Sequence, residues 1–256
     1  MNILEKIAEK TKQRIIAEQQ ILSLEKLKEM LKKSRTPFDF RKAFINQEIN
    51  IISEIKFASP SEGEIAKPEP LKVAEAYLAN GAKALSVLTE PNYFKGNINY
   101  IAQIREKFPQ ANILMKDFVI DEYQLLKARV YGADAVLLIV ALLGNQLKNF
   151  LDKAKELGLT ALVEVHNQEE MKIALEANAD FIGVNNRNLK DMTISLKTSE
   201  SLIKFKKPET IFISESGLKN KTDLANLQSL GYQGFLIGTS FMKTDDPGKA
   251  LASLLS

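Results

Sequence analysis

No cysteine occurs in the 256 residues. Disulfides, thiolate nucleophiles and cysteine-ligated zinc are thereby excluded. Histidine is nearly absent too: His166 stands alone, which excludes a histidine-rich metal site. No apolar run approaches the ~18 residues that span a bilayer. The opening Met1-Asn2-Ile3-Leu4-Glu5-Lys6 lacks the apolar core of a signal segment. A surplus of one charge is missing as well. Lys plus Arg is 35 against 32 for Asp plus Glu, a net +3, far from the basic excess of a dedicated nucleic-acid binder. A local cationic pocket for a small anion is still compatible with that balance. The expectation is a cytoplasmic protein, monomeric, that acts on neither nucleic acid nor membrane.

What is present is a large apolar fraction, 45 %, enough for a sizeable core. The length is long for one ordinary domain and normal for one α/β barrel. Residues 1–47 differ from the rest. Ile3, Ile7, Ile15 and Ile16, then Leu24, Leu27 and Leu31, recur at roughly helical spacing among Lys, Glu and Gln. This predicts two amphipathic helices, a helical extension packed on a main domain of residues 48–256.

From about Asn50, short apolar runs alternate with amphipathic stretches. Eight strands are predicted: Ile51–Lys56, Ala84–Leu88, Ile113–Lys116, Ala135–Val140, Ala161–Val165, Phe181–Val184, Ile211–Ser214 and Gly234–Ile237. Helical stretches lie between them, among them Pro70–Asn80, Asp121–Tyr131, Gln146–Leu157, Gln168–Ala177 and Lys221–Leu230. Strands apolar on both faces and separated by helices indicate a parallel sheet. Eight units predict closure into a (β/α)8 barrel. Gly81-Ala82-Lys83, Gly132-Ala133-Asp134, Asn178-Ala179-Asp180 and Gly231-Tyr232-Gln233 each precede an even-numbered strand, a faint repeat of two βα units. Gly or Asn there suits the left-handed residue that ends a helix. The alternative, an open doubly wound sheet, lacks its usual nucleotide motifs after the first strand.

Active sites of such barrels lie at the C-terminal ends of the strands. Glu54 and Lys56 are two apart on strand one and point to one side. Lys116 ends strand three, and Glu164 sits inside strand five. A charge within an apolar strand is costly unless paired. Rim salt bridges, such as Glu54 with Lys116, explain any one of these residues as well as catalysis does. The four together, with polar clusters after strands six and seven, favour a site. Ser216-Gly217 and Gly238-Thr239 close strands seven and eight, where barrels commonly hold phosphate. Turn glycines with capping hydroxyls are the plainer reading of either pair alone. Phe57, Phe94, Phe118, Leu142 and Leu189 follow strand ends and suit either loop packing or the wall of an aromatic substrate. His166, alone on a strand end, is expected to be a supporting or surface group.

Several of these segments resemble the indole-3-glycerol-phosphate synthase family. They are Ile52-Ser53-Glu54-Ile55-Lys56-Phe57-Ala58-Ser59-Pro60-Ser61-Glu62-Gly63, Leu114-Met115-Lys116-Asp117-Phe118, Leu162-Val163-Glu164-Val165-His166, Gly183-Val184-Asn185-Asn186-Arg187-Asn188-Leu189, Ser214-Glu215-Ser216-Gly217 and Leu236-Ile237-Gly238-Thr239-Ser240-Phe241-Met242. The resemblance spans essentially the whole chain. It departs at Phe57, where the family has a basic residue, and at Thr239, where serine is more usual.

The resemblance implies a reaction without cofactor or metal. An anionic sugar phosphate carrying an anthranilate ring, 1-(2-carboxyphenylamino)-1-deoxyribulose 5-phosphate, would become indole-3-glycerol phosphate, carbon dioxide and water. It further implies Lys116 as the general acid and Glu164 as the base or the stabiliser of a cationic intermediate. Lys56 would meet the substrate carboxylate, Glu54 would orient the lysines, and Asn185 would bind hydroxyls. Ser216, Gly217, Gly238 and Thr239 would hold phosphate, with Ser59, Phe94, Arg187 and Leu189 as further binding residues. Phosphoribosylanthranilate isomerase, the nearest rival, uses a cysteine base that this chain lacks. A Schiff-base aldolase using Lys56 or Lys116, and a non-enzymatic phosphate-binding barrel, are the remaining rivals.

Overall fold

A computed structural model describes residues 3–46, 48–67, 69–189 and 191–256. Among the described residues, eight parallel strands close into a barrel: β1 (Ile51–Ile55), β2 (Ala84–Leu88), β3 (Ile113–Lys116), β4 (Ala135–Ile139), β5 (Thr160–Val165), β6 (Phe181–Asn185), β7 (Ile211–Glu215) and β8 (Gly234–Ile237). Closure is visible at β1, where Ile52 pairs with Ala84 on one side and Leu236 on the other. The expected (β/α)8 barrel is therefore the observed one. Every residue of β1, β2 and β4 is buried, because helices cover the outer face and side chains fill the lumen.

Two strand ends run beyond their apolar runs for one reason. Asn185 of β6 pairs with Glu215 of β7, so each polar residue extends the other's strand. Val140, expected in β4, instead opens a helical turn, Val140–Leu143.

The main helices are α1 (Ile3–Ile21), α2 (Leu24–Leu31), α3 (Pro70–Ala79), α4 (Asn99–Lys107), α5 (Glu122–Tyr131), α6 (Leu147–Glu156), α7 (Gln168–Glu176), α8 (Lys197–Leu202), α9 (Lys221–Leu230) and α10 (Pro247–Leu255). None is long and apolar enough to cross a membrane. The α5 start shows how locally these boundaries are written. Asp121 accepts from the Tyr123 N–H, and Gln124 returns to the Asp121 N–H, a capping box. At its end, Gly132 takes φ 98°, and the matching Asn178 takes φ 61°, the left-handed closure that the repeat predicts.

The N-terminal segment touches both ends of the barrel. Its boundary at Gln47 lies outside the described residues. Phe40 and Phe44, in the short turn Phe40–Phe44, are fully buried at the N-terminal end of the strands. Their rings meet Phe181 at 6.0 and 5.5 Å. Gly234 makes room for this plug, since a Cβ there would lie 2.7 Å from Phe44. Leu27 of α2 and Ile15 of α1 pack with Tyr123 and Leu126 of α5. Arg14 and Glu18 of α1 pair with Asp117 and Lys127 at 2.8 and 2.7 Å.

Candidate active site

A cavity of about 390 Å³ opens at the C-terminal ends of the strands, within the range of small-molecule sites. Each residue that the family resemblance assigns to the site lines it. Glu54 is the penultimate residue of β1 and is 5 % exposed. Its partner is Lys56, Nζ to Oε1 2.6 Å, rather than Lys116 as the simple rim pairing suggests. Lys116, at the end of β3, reaches across the lumen. Its Nζ donates to Glu164 Oε2 on β5 at 3.3 Å and to Glu215 Oε2 on β7 at 2.5 Å.

These groups shift one another. Burial pulls the Lys116 ammonium down, but Glu215, Glu164 and Glu54 outweigh it and hold the lysine above its ordinary range. Burial pushes Glu164 up, but the Lys116 charge, His166 and Asn185 reverse this and hold it well below the usual carboxylate range. Glu215 goes the other way. Burial raises it to about 7, and the nearby Glu164 and Glu54 charges add to the effect against Lys116. No donor among the described residues reaches Glu215 Oε1.

The end of β6 builds the next wall. Asn185 Oδ1 accepts the Arg187 N–H at 3.0 Å. Asn186, buried, turns away and donates to Ser214 Oγ, Glu215 O and Ser216 O at 3.0–3.1 Å. That clamp fixes the chain just where Ser216 and Gly217 take φ 68° and 80°. A serine in this region carries strain, of order 1–3 kcal/mol, that surrounding contacts must hold. Gly238 follows β8 and leads into the short helix Thr239–Met242. A Cβ on Gly238 would lie 2.8 Å from the Glu54 Cβ. The glycine therefore leaves space for Glu54 as well as opening the backbone to the cavity.

The aromatic candidates divide. Phe94 and Phe118 pack together, centroids 5.8 Å apart, and line the cavity with Leu189. Phe57 does not. It is buried edge-on against Tyr100 at 5.9 Å. Leu142 packs against the barrel core instead. Ser59 and Arg187 lie at the cavity wall, with Ser59 buried.

Two features escape the sequence reading. Glu215 is named at a strand end but not among the candidate acids, although its place in Ser-Glu-Ser-Gly at the rim is the available signal. Ile3, Leu4 and Ile7 of α1 line the cavity, where the sequence suggests only a packed extension. Of the two readings of His166, supporting or surface group, the geometry fits the first: its side chain is 7 % exposed and stands between Glu164 and Glu170.

A family model described as indole-3-glycerol phosphate synthase matches residues 4–254. An indole-3-glycerol phosphate synthase of Campylobacter jejuni is 46 % identical over 99 % of this chain and all of that relative. One from Thermoanaerobacter sp. is 42 % identical over 95 % of this chain and 94 % of its own. Among solved structures, KGPDC from Streptococcus mutans superposes with a TM-score of 0.62 at 12 % identity, covering 80 % of this chain and 95 % of that one. At that identity the likeness speaks for the barrel alone. Matches of this length and identity, on a closed barrel with its charged rim, lead to one conclusion: the chain belongs to the indole-3-glycerol phosphate synthase family.

Proposed function

We propose that the chain is the carboxy-lyase of its family, with the charged rim as its catalytic machinery. It converts 1-(2-carboxyphenylamino)-1-deoxyribulose 5-phosphate to indole-3-glycerol phosphate, carbon dioxide and water, a step of tryptophan biosynthesis. The observation that carries the assignment of roles is the bridge Glu164–Lys116–Glu215 across the cavity.

The ring carbon bearing the carboxylate attacks the ketone carbon, and the ketone oxygen must gain a proton as that bond forms. Lys116 is held as an ammonium, the form a general acid requires. Glu215, titrating near 7 and touching Lys116, is placed to return the proton afterwards. Loss of carbon dioxide restores the electron pair of the broken carbon–carbon bond to the ring system. Water then leaves: the new hydroxyl departs with a proton from Lys56, and a base removes a ring proton. Glu164, held ionised, supplies that base and faces the cationic intermediate. Lys56, kept in place by Glu54, meets the substrate carboxylate before it departs.

Phe94, Phe118 and Leu189 hold the anthranilate ring. Asn185 binds the sugar hydroxyls. Ser216, Gly217, Gly238 and Thr239 take the phosphate, with Arg187 and Ser59 beside them. The protein works as a cytoplasmic monomer on this small anionic substrate. Substrate carrying ¹³C in its carboxylate tests the reaction. Labelled carbon dioxide should appear in step with the indole product. Indole without labelled carbon dioxide, or neither product, overturns the reading.

A further inference from the structure

The one histidine is placed in a way that the reaction scheme leaves unused. His166 follows β5 and its ring lies between two carboxylates. Nδ1 is 2.9 Å from Glu170 Oε2, and Nε2 is 3.2 Å from Glu164 Oε1, an ion-pair approach without hydrogen-bond alignment. A neutral imidazole has one N–H and one lone pair. Between two carboxylates, that lone pair would face a negative oxygen. Only the imidazolium, with an N–H on each nitrogen, turns no lone pair toward a carboxylate and sets a positive charge between the two.

Glu170 is itself fixed. Its Oε2 also accepts the His166 backbone N–H at 2.8 Å, and its Oε1 accepts Asn167 Nδ2 at 2.7 Å. Asn167 in turn caps α7 by accepting the Glu170 N–H at 2.9 Å. The first turn of α7 is thus a bracket aimed at the ring.

We propose that His166 is a cationic positioning residue, clamped by Glu170, that keeps Glu164 a carboxylate and turned toward the cavity. The proposal rests on the role given to Glu164 above and adds a residue that acts through it. Burial disfavours the ring's charge, but the two carboxylates prevail and raise it to about 10. Glu215 from β7 faces Glu164 across the shared Lys116. Lys116 from β3 and Asn185 from β6 face Glu164. The turn Val140–Leu143 and strand β4, packed against this end, carry no charge. The Lys148–Asp152 and Lys153–Glu156 pairs of α6 are at the surface.

Because the chain has one histidine, ¹⁵N imidazole signals from untagged protein report this ring alone. The ring should stay doubly protonated at pH 8. In Glu170→Gln or Glu164→Gln its midpoint should fall by at least about one pH unit. A wild-type midpoint near the free value of about 6.5, or one that neither variant moves, overturns the proposal. This arm needs no turnover, so it is separate from failure of the assigned reaction, which would show as inactive wild type.

In active enzyme, the acid limb of kcat/KM should move to higher pH in His166→Gln, which keeps a donor but no charge. Glu170→Gln should shift it the same way, and serves alone if His166→Gln does not fold. A lower kcat with an unmoved profile would mean a merely structural histidine and would also overturn the proposal.

Discussion

Buried carboxylates paired with cations occur at both ends of this barrel, and they are built differently. At the N-terminal end, Asp134 is fully buried and saturated. Oδ1 accepts from Arg35 at 2.6 Å and the Phe38 N–H at 2.8 Å, while Oδ2 accepts from Arg105 at 2.5 Å and the Ile113 N–H at 2.9 Å. Four donors occupy the four sites a carboxylate offers. At the C-terminal end, Glu164 and Glu215 share Lys116, and Glu215 Oε1 meets no donor among the described residues. The first cluster ties the segment before β1 to β3 and β4. The second lines a cavity and keeps one carboxylate oxygen, Glu215 Oε1, buried against Gly183 without a donor among the described residues. Burial and charge alone do not separate the two clusters; incomplete satisfaction beside a cavity does, and it supports the catalytic role proposed for the second.

Substitutions sharpen that contrast. The largest effect is expected for Asp134→Asn. It leaves Arg35 and Arg105 without their charge partner and should cost about 3 kcal/mol of stability, read by urea unfolding. Turnover per folded molecule should stay near normal; a large loss would blur the two clusters. Lys116→Met should do the reverse, keeping the unfolding midpoint and lowering kcat at least about a hundredfold.

Thr239→Val, which removes one hydroxyl facing the proposed phosphate, should raise KM about tenfold with kcat kept, as for a lost charge-assisted hydrogen bond of about 1.4 kcal/mol. An unchanged KM would move the phosphate elsewhere. The prediction at His166 is one of sign and pH window rather than of size. Its folded value of about 10 lies above the unfolded one. Its protonation therefore stabilises the fold fully below about pH 6.5. That contribution is lost as pH rises through 10. The stability gap between wild type and His166→Gln should narrow over that window in melts at stepped pH.

The barrel was legible because a buried parallel strand leaves an apolar run and a helix end leaves a Gly or Asn. Strand ends at Asn185 and Glu215 were not, since their pairing is with each other and has no apolar signature. The site was legible where a charge interrupts an apolar strand, as Glu54 and Glu164 do. Sequence set Asp134 before β4 and Glu215 at the end of β7, at opposite ends of the barrel, but only packing decides how many donors each receives. Nor could sequence show that Ile3, Leu4 and Ile7 reach the cavity. Their helical spacing announces a buried face without naming what lies against it. Phe57 and Leu142 failed as wall residues for the same reason: position after a strand does not fix which way a side chain packs.

The most direct test mixes wild type and Lys116→Met, at equal folded concentration, with 1-(2-carboxyphenylamino)-1-deoxyribulose 5-phosphate in EDTA-containing buffer and follows indole fluorescence. The account predicts a signal that grows in proportion to wild-type enzyme and is at least about a hundredfold slower in the variant. A flat trace from folded wild type, or equal rates from the two proteins, would contradict it.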